Sequence, residues 1–138
     1  MRAYLLGGLI VVGLALTAGK TAAHHSFAAE FDRNKPVTLT GTVTKVEWTN
    51  PHVWFYINVK DEKTGKVTNW GAEMGPPHGL QRGGWRRETL KIGETVTVAG
   101  SLAKNGSNRV NAGQVTLKST GGRPGQTLDA ASSAGTNP

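Results

Sequence analysis

The segment that most constrains the fold is residues 53–59, where apolar and polar positions alternate. Phe55 and Ile57 lie on one side of an extended chain, and Trp54 and Tyr56 lie on the other, because successive side chains of a β-strand project from opposite faces. This period of two predicts a strand rather than an amphipathic helix. Since both faces carry aromatic residues, we expect one face to join a core and the other to be covered in part by a loop or a ligand.

The other strands are predicted from the same alternation and from turn residues. Residues 37–48 alternate until the apolar phase slips by one between Val43 and Val46, as a β-bulge produces. Residues 61–66 predict one hairpin turn, and the Asn-Gly pair at 105–106 predicts another. These patterns give five strands and a short helix, with the strands at residues 37–48, 53–59, 67–74, 95–102 and 110–117 and the helix near residues 77–82.

Three strands, a short helical insert and two further strands match the small five-stranded Greek-key barrel called the OB-fold. A plain five- or six-stranded sandwich is the alternative. The barrel is predicted to span residues 37–118, after an N-terminal arm at 24–36. Residues 119–138 are predicted to be a disordered tail, since their Gly, Ser, Ala, Thr and Pro content leaves too few large apolar groups to offset the entropy of ordering.

Residues 1–23 have the pattern of a cleaved signal peptide. Arg2 precedes an apolar stretch at residues 5–16, which is too short to span a bilayer comfortably and is followed by small residues. Cleavage after Ala23 satisfies the small-residue rule, and cleavage after Ala18 is the alternative. We therefore expect a bacterial protein that is periplasmic or secreted and has no transmembrane span after cleavage.

The charge balance and the lack of cysteine set bounds on partners and on metal sites. The chain has 16 Lys+Arg against 9 Asp+Glu, and only Arg2 and Lys20 of the basic residues lie in the leader. An exported basic protein meets anionic lipids, polysaccharides and acidic proteins, so we expect an unknown periplasmic ligand or protein as partner, and no nucleic acid. With no cysteine, any metal site must use nitrogen and oxygen ligands.

Four motifs give the chain a family resemblance over about residues 24–117: HHSF at 24–27, VEWTNPH at 46–52, GWR at 84–86 and NGSN at 105–108. It resembles a family of small exported bacterial proteins that is catalogued only as a domain of unknown function. The resemblance implies the compartment and the fold, and it implies no activity. Gly83 stands where a second arginine is common in that family, and His78 stands where the pattern is looser, so no shared role of His78 is implied.

The histidines predict a copper site. After cleavage at Ala23, His24 would offer its amino nitrogen and its imidazole to one metal ion, and a second imidazole would complete a nearly planar set of three nitrogens that suits Cu(II). His52, at the start of the second strand, is the predicted second imidazole, and His25 completes the ligand set. If cleavage exposes Ala22 instead, the start Ala-Ala-His places a histidine third, an arrangement that also wraps Cu(II). The alternative is a solvated chain end, with His52 bonded only to its own loop.

Aromatic and basic residues predict a different function. Trp54 and Tyr56, with Arg82, Arg86 and Arg87, would form a groove for an anionic or sugar-like ligand, or for a protein that the chain adapts. OB-folds commonly bind ligands on the face of strands two and three.

The remaining large aromatics, Trp48 and Trp85, are predicted to lie in the core, since a domain of this size has few other large side chains.

The polar residues argue against catalysis. The glutamates are isolated in sequence, Ser26 has no convincing base and orienting group, and no Gly-rich phosphate loop is present. An enzyme is therefore the weakest hypothesis, and we expect a non-catalytic binding protein.

Overall fold

The part of the chain that the structure describes is mostly β. The computed structural model describes residues 27–132 and residue 134, so the predicted signal peptide, His24 and His25 lie outside the described residues. In that part, no helix has the length and apolarity that crossing a membrane would require. The elements are β1 Phe31–Glu47, β2 Trp54–Lys60, β3 Val67–Glu73, α1 Pro77–Arg82, β4 Thr95–Ala103, β5 Arg109–Leu117 and β6 Gln126–Asp129.

The strands form an antiparallel sheet that bends into a partial ring. Their order is β3-β2-β1-β4-β5-β6, and β3 also pairs in parallel with β5, residues 71–73 against 109–111. The ring therefore passes through five strands, and β6 extends it at the edge of β5. The short helix α1 lies between β3 and β4 in the chain, as the sequence predicts.

Strand β1 is long because it pairs with strands on both sides of the ring. Its first part pairs with β4, and its last part pairs with β2. A register shift between Val43 and Lys45 confirms the bulge predicted from the apolar phase slip. Close by, a Cβ on Gly41 would lie 2.5 Å from the carbonyl oxygen of Asn58, so only glycine lets β2 approach β1 this closely.

The core fills the inside of the partial ring. Phe55 and Ile57 of β2 are fully buried there, and Leu80 of α1 closes one side. Trp48 and Trp85 are buried in the same cluster, which confirms their predicted place in the core. Trp54 and Tyr56, on the opposite face of β2, remain half-buried.

Strand β6 is the main difference from the sequence prediction, which had five strands and a disordered tail from residue 119. The structure instead pairs Gln126–Asp129 with β5. Beyond it, the Gly75 N–H donates to the Ala130 carbonyl at 2.8 Å, and the Trp85 indole N–H donates to the Asp129 carbonyl at 2.7 Å. Composition misses this segment because backbone hydrogen bonds hold much of it, and Leu128 is its only large apolar side chain that packs against the core cluster among the described residues.

The start of β1 also differs from the predicted boundary. The strand begins at Phe31, within the predicted N-terminal arm at 24–36. Phe31 pairs with Ala103 of β4, and a register shift separates this pair from the next one, at Pro36. The polar residues between Phe31 and Pro36 conceal the strand from an analysis of alternation.

Removing β6 should destabilise the domain. A chain ending at Ser119 would leave the Trp85 indole N–H without its acceptor. It would also remove Ala130 from the core cluster and uncover the core residues beside it. We expect the free energy of unfolding to fall by about 3 kcal/mol or more, measured by urea unfolding followed by tryptophan fluorescence. A chain ending at Ala134, which keeps β6, is the control and should retain the wild-type midpoint. Equal midpoints for the two truncated chains would contradict the role assigned to β6.

Candidate functional site

A histidine–carboxylate pair lies where β2 begins and β3 ends. His52 Nδ1 lies 2.9 Å from Glu73 Oε1. The side chain of Glu73 is 6% exposed and that of His52 is 22% exposed, so the carboxylate is enclosed while the imidazole still reaches solvent. A carboxylate at one ring nitrogen fixes the tautomer and orientation of an imidazole. The other nitrogen of His52, Nε2, is then the one that can meet a ligand.

The backbone around the pair explains its position. Trp54 lies directly opposite Glu73 in the β2–β3 ladder, and residues opposite each other share one face of a sheet. The ladder continues past this pair, because the Met74 N–H donates to the Val53 carbonyl at 2.8 Å and the Val53 N–H donates to the Gly75 carbonyl at 3.0 Å. The residue before Val53 is therefore held beside the end of β3.

Burial controls the charge of Glu73. The pKa of Glu73 is raised from 4.5 to about 7, mainly by loss of solvent and also by the nearby Glu30 carboxylate, while the Arg109 guanidinium lowers it. Glu73 therefore gains and loses its proton near neutral pH. Glu30 precedes β1 and Arg109 begins β5, so three separate parts of the chain determine the charge at this point.

Trp54 is the centre of the surrounding contacts. The Arg109 guanidinium lies 5.4 Å from the centroid of the Trp54 ring, within the range of a cation–π interaction. Trp54 also packs against a small cluster that includes Phe27 and Phe31, whose stacked rings are 5.9 Å apart. Phe27 follows His25 by two residues, so the first described residue of the chain is anchored next to Trp54.

The Tyr56 end of the same face is a closed polar cluster. The Tyr56 hydroxyl donates to Glu47 Oε2 at 3.1 Å, and Lys45 Nζ lies 2.5 Å from Glu47 Oε1 and 5.4 Å from the centroid of the Tyr56 ring. Hydrogen bonds from Lys45 and then Tyr56 lower the pKa of Glu47. Because these groups already satisfy one another, the Trp54 end offers the freer ligand surface.

The predicted site residues fall into three groups. The structure brings His52, Trp54 and Tyr56 to one face of β2, as the alternation predicts. His24 and His25 lie outside the described residues. The three arginines lie on or after α1 and are exposed, and within the described part of the chain no contact joins them to Trp54 or Tyr56; they are Arg82, Arg86 and Arg87.

The structure adds three residues to the site that sequence analysis missed. Arg109 reaches Trp54 through the parallel pairing of β3 with β5, and sequence spacing gives no signal for that long-range pairing. The position of Glu73 could have been predicted from the sequence, because a hairpin turn at residues 61–66 places residue 73 opposite residue 54. Glu30 raises the pKa of Glu73 and lines a cavity together with Arg109. Among residues 27–132 and 134, no three His, Cys, Asp or Glu residues are grouped as metal ligands.

Glu73 should make stability depend on pH. Because its pKa is raised from 4.5 to about 7 on folding, the folded chain holds a proton that the unfolded chain releases. This contribution to stability is complete below the unfolded pKa and is lost as the pH rises through the folded one. We expect the free energy of unfolding to fall by up to about 3 kcal/mol between about pH 5 and pH 8.

Urea unfolding across this pH range would measure the effect. Glu73→Gln should flatten the profile, because glutamine does not titrate, whereas Glu62→Gln, an exposed position in the turn after β2, should leave it unchanged. Identical profiles for the wild type and Glu73→Gln would show that Glu73 does not carry the pH dependence.

Comparison with known proteins places the chain in a family. A family model described as a family of unknown function (DUF6152) matches residues 11–112, which is well over half of the 138 residues. The matched region includes His24, His25, His52, Glu73 and Arg109. No curated protein matches the chain. The resemblance seen in the motifs is thus confirmed, and the chain belongs to the family of unknown function DUF6152.

Proposed function

We propose that this protein is an exported, non-catalytic binding protein that binds copper through His24, His25 and His52. The observation that carries the proposal is the pair formed by His52 and Glu73. A histidine that binds a metal almost always donates its other ring N–H to a carboxylate, a carbonyl or water, which raises its basicity as a ligand. Within the described residues His52 forms no other hydrogen bond or ion pair, so Nε2 has no protein partner there.

The strand pairing supports an OB-like Greek-key barrel as the scaffold. The order β1-β2-β3-β5-β4, returning to β1, with a helix between β3 and β4, is the order expected of that fold. In such a barrel the faces of the second and third strands commonly bind ligands. His52, Trp54 and Glu73 belong to that region of this chain.

Chain length supports a contribution from the N-terminal histidines. Phe27 belongs to the small cluster that packs against Trp54, and His24 precedes Phe27 by three residues. An extended chain covers at most about 3.3–3.6 Å per residue, so His24 is within about 10 Å of Phe27. If the mature chain begins at His24, its amine, its imidazole and the His52 imidazole can meet at one ion.

The charges around His52 also favour a cation. Arg109 alone would repel a metal ion, but the Glu30 carboxylate opposes its charge at Glu73. Glu73 adds a second negative charge as the pH rises through its pKa of about 7. Among the divalent first-row ions Cu(II) binds such nitrogen ligands most strongly. Thiolate ligands are excluded, because the chain has no cysteine.

The outer face of β2 supports a second candidate, a periplasmic ligand or protein adaptor. Trp54 is half-buried with Arg109 over its ring, an arrangement that can stack a planar group and pair with an anion. Tyr56 contributes its ring, since its hydroxyl is bonded to Glu47. Such an adaptor needs no metal, so a copper titration separates the two candidates.

Titration of the mature protein with Cu(II), followed by electron paramagnetic resonance, tests the copper proposal. We expect a spectrum of nitrogen ligands in the wild type and an affinity at least about tenfold lower in His52→Ala. Glu73→Gln should also bind about tenfold more weakly, because it loosens the imidazole. His78→Ala is the matched control, since His78 is exposed on α1, and its affinity should equal that of the wild type.

Two results would contradict the copper proposal. One is an unchanged affinity in His52→Ala. The other is a mature N-terminus, determined by mass spectrometry, that begins at a residue other than His24 or Ala22.

A further inference from the structure

A cavity of about 270 Å³ lies beside the β2–β3 hairpin, on the opposite face of the sheet from His52 and Glu73. Trp70 in its wall pairs with Ile57, and Thr68 pairs with Val59. Ile57 points into the core, so Trp70 and Thr68 lie on the same face of the sheet as the core. They precede residues 71–73, the part of β3 that pairs with β5. The cavity is therefore separate from the proposed copper site.

One wall of the cavity is apolar. Leu39 of β1, Val59 of β2 and Trp70 of β3 line it. All three are only partly buried and pack against the core cluster from its edge. This wall is held in place by its packing against the core, includes the Trp70 ring and is partly exposed to solvent.

The opposite rim is polar and has unused hydrogen-bonding groups. The side chains of Lys66, Thr68 and Asn108 line the cavity and form no hydrogen bond or ion pair with other residues that the structure describes. The Oδ1 atom of Asp61 accepts from the backbone N–H groups of Lys63 and Thr64, at 2.8 Å each. The Thr64 side chain also forms a hydrogen bond with this carboxylate, whose two oxygens together offer about four acceptor positions, so one remains for a ligand hydroxyl.

We propose that this cavity binds a single neutral pyranose sugar, with the C–H face of the ring on Trp70 and hydroxyls bonded to Asp61, Thr68 and Asn108. A sugar ring has the required combination of an apolar face and a polar edge. The cavity is smaller than the roughly 300–1,000 Å³ of drug-sized sites, which favours one ring over an oligosaccharide. Asp61 and Lys66 carry opposite charges, so their fields largely cancel and a neutral ligand is favoured.

Titration of the full chain with methyl β-glucopyranoside, followed in proton–nitrogen NMR spectra, tests the proposal. We expect the indole N–H signal of Trp70 to shift and that of Trp85, which is buried and bonded to Asp129, to stay in place. Thr68→Val keeps the side-chain shape and should weaken binding about fivefold through the loss of one hydrogen bond. Thr42→Val, at an exposed position of β1, is the matched control and should bind as the wild type does.

Three outcomes would overturn the sugar proposal: a Trp70 signal that does not move, an equal shift produced by the open-chain polyol mannitol, or equal binding by Thr68→Val and Thr42→Val. None of these measurements involves copper or His52. The sugar proposal and the copper proposal therefore succeed or fail separately.

Discussion

The burial of the Glu73 carboxyl group at the end of β3 is the constraint on which the candidate site around His52 and Trp54 depends. A carboxyl group with so little contact with water needs partners or a proton, because an unpaired buried charge is costly. His52 supplies a partner at 2.9 Å and Arg109 supplies a positive field, while Glu30 and burial favour the protonated form. The backbone ladder places His52 beside Glu73, and this balance sets the charge of the carboxyl group that it meets.

That balance depends in turn on strand register. Glu73 faces outward because it pairs with Trp54, and a slip of one residue would turn it towards the core. The bulge after Val43 and the close approach of β2 at Gly41 hold β2 against β1. The parallel pairing of Gly71 with Arg109 then brings the guanidinium to Trp54. The candidate site is thus built by the ring of strands rather than by a loop.

Local patterns in the sequence predict much of this fold. The alternation at residues 53–59, the phase slip after Val43, the hairpin turn at 61–66 and the short helix all have counterparts in the structure. Strand β6 was missed because its apolar pattern is short: Leu128 and Ala130 pack with the core, while main-chain hydrogen bonds and the Trp85 indole supply the rest. Arg109 was missed because parallel pairing of distant strands leaves no mark in local spacing.

The proximity of residues in sequence was a poor guide to the basic side of the site. The sequence analysis assigned three arginines to the groove with Trp54, namely Arg82, Arg86 and Arg87. In the structure Arg86 donates to the Trp85 carbonyl, and the guanidinium that lies over the Trp54 ring is that of Arg109. By contrast, the pairing of Glu73 with Trp54 follows from counting back from the hairpin turn. Register arithmetic therefore locates partners within a hairpin, whereas contacts across the ring require the tertiary fold.

The central claim is that Glu73 holds the Nδ1 atom of His52 and leaves Nε2 as the ligand nitrogen. Nitrogen-15 NMR of the His52 imidazole in the metal-free protein tests it most directly, at about pH 8, where Glu73 with its pKa of about 7 is ionised. The account predicts that Nδ1 carries the proton and that Nε2 has the chemical shift of an unprotonated nitrogen. A proton on Nε2, with Nδ1 unprotonated, would contradict it.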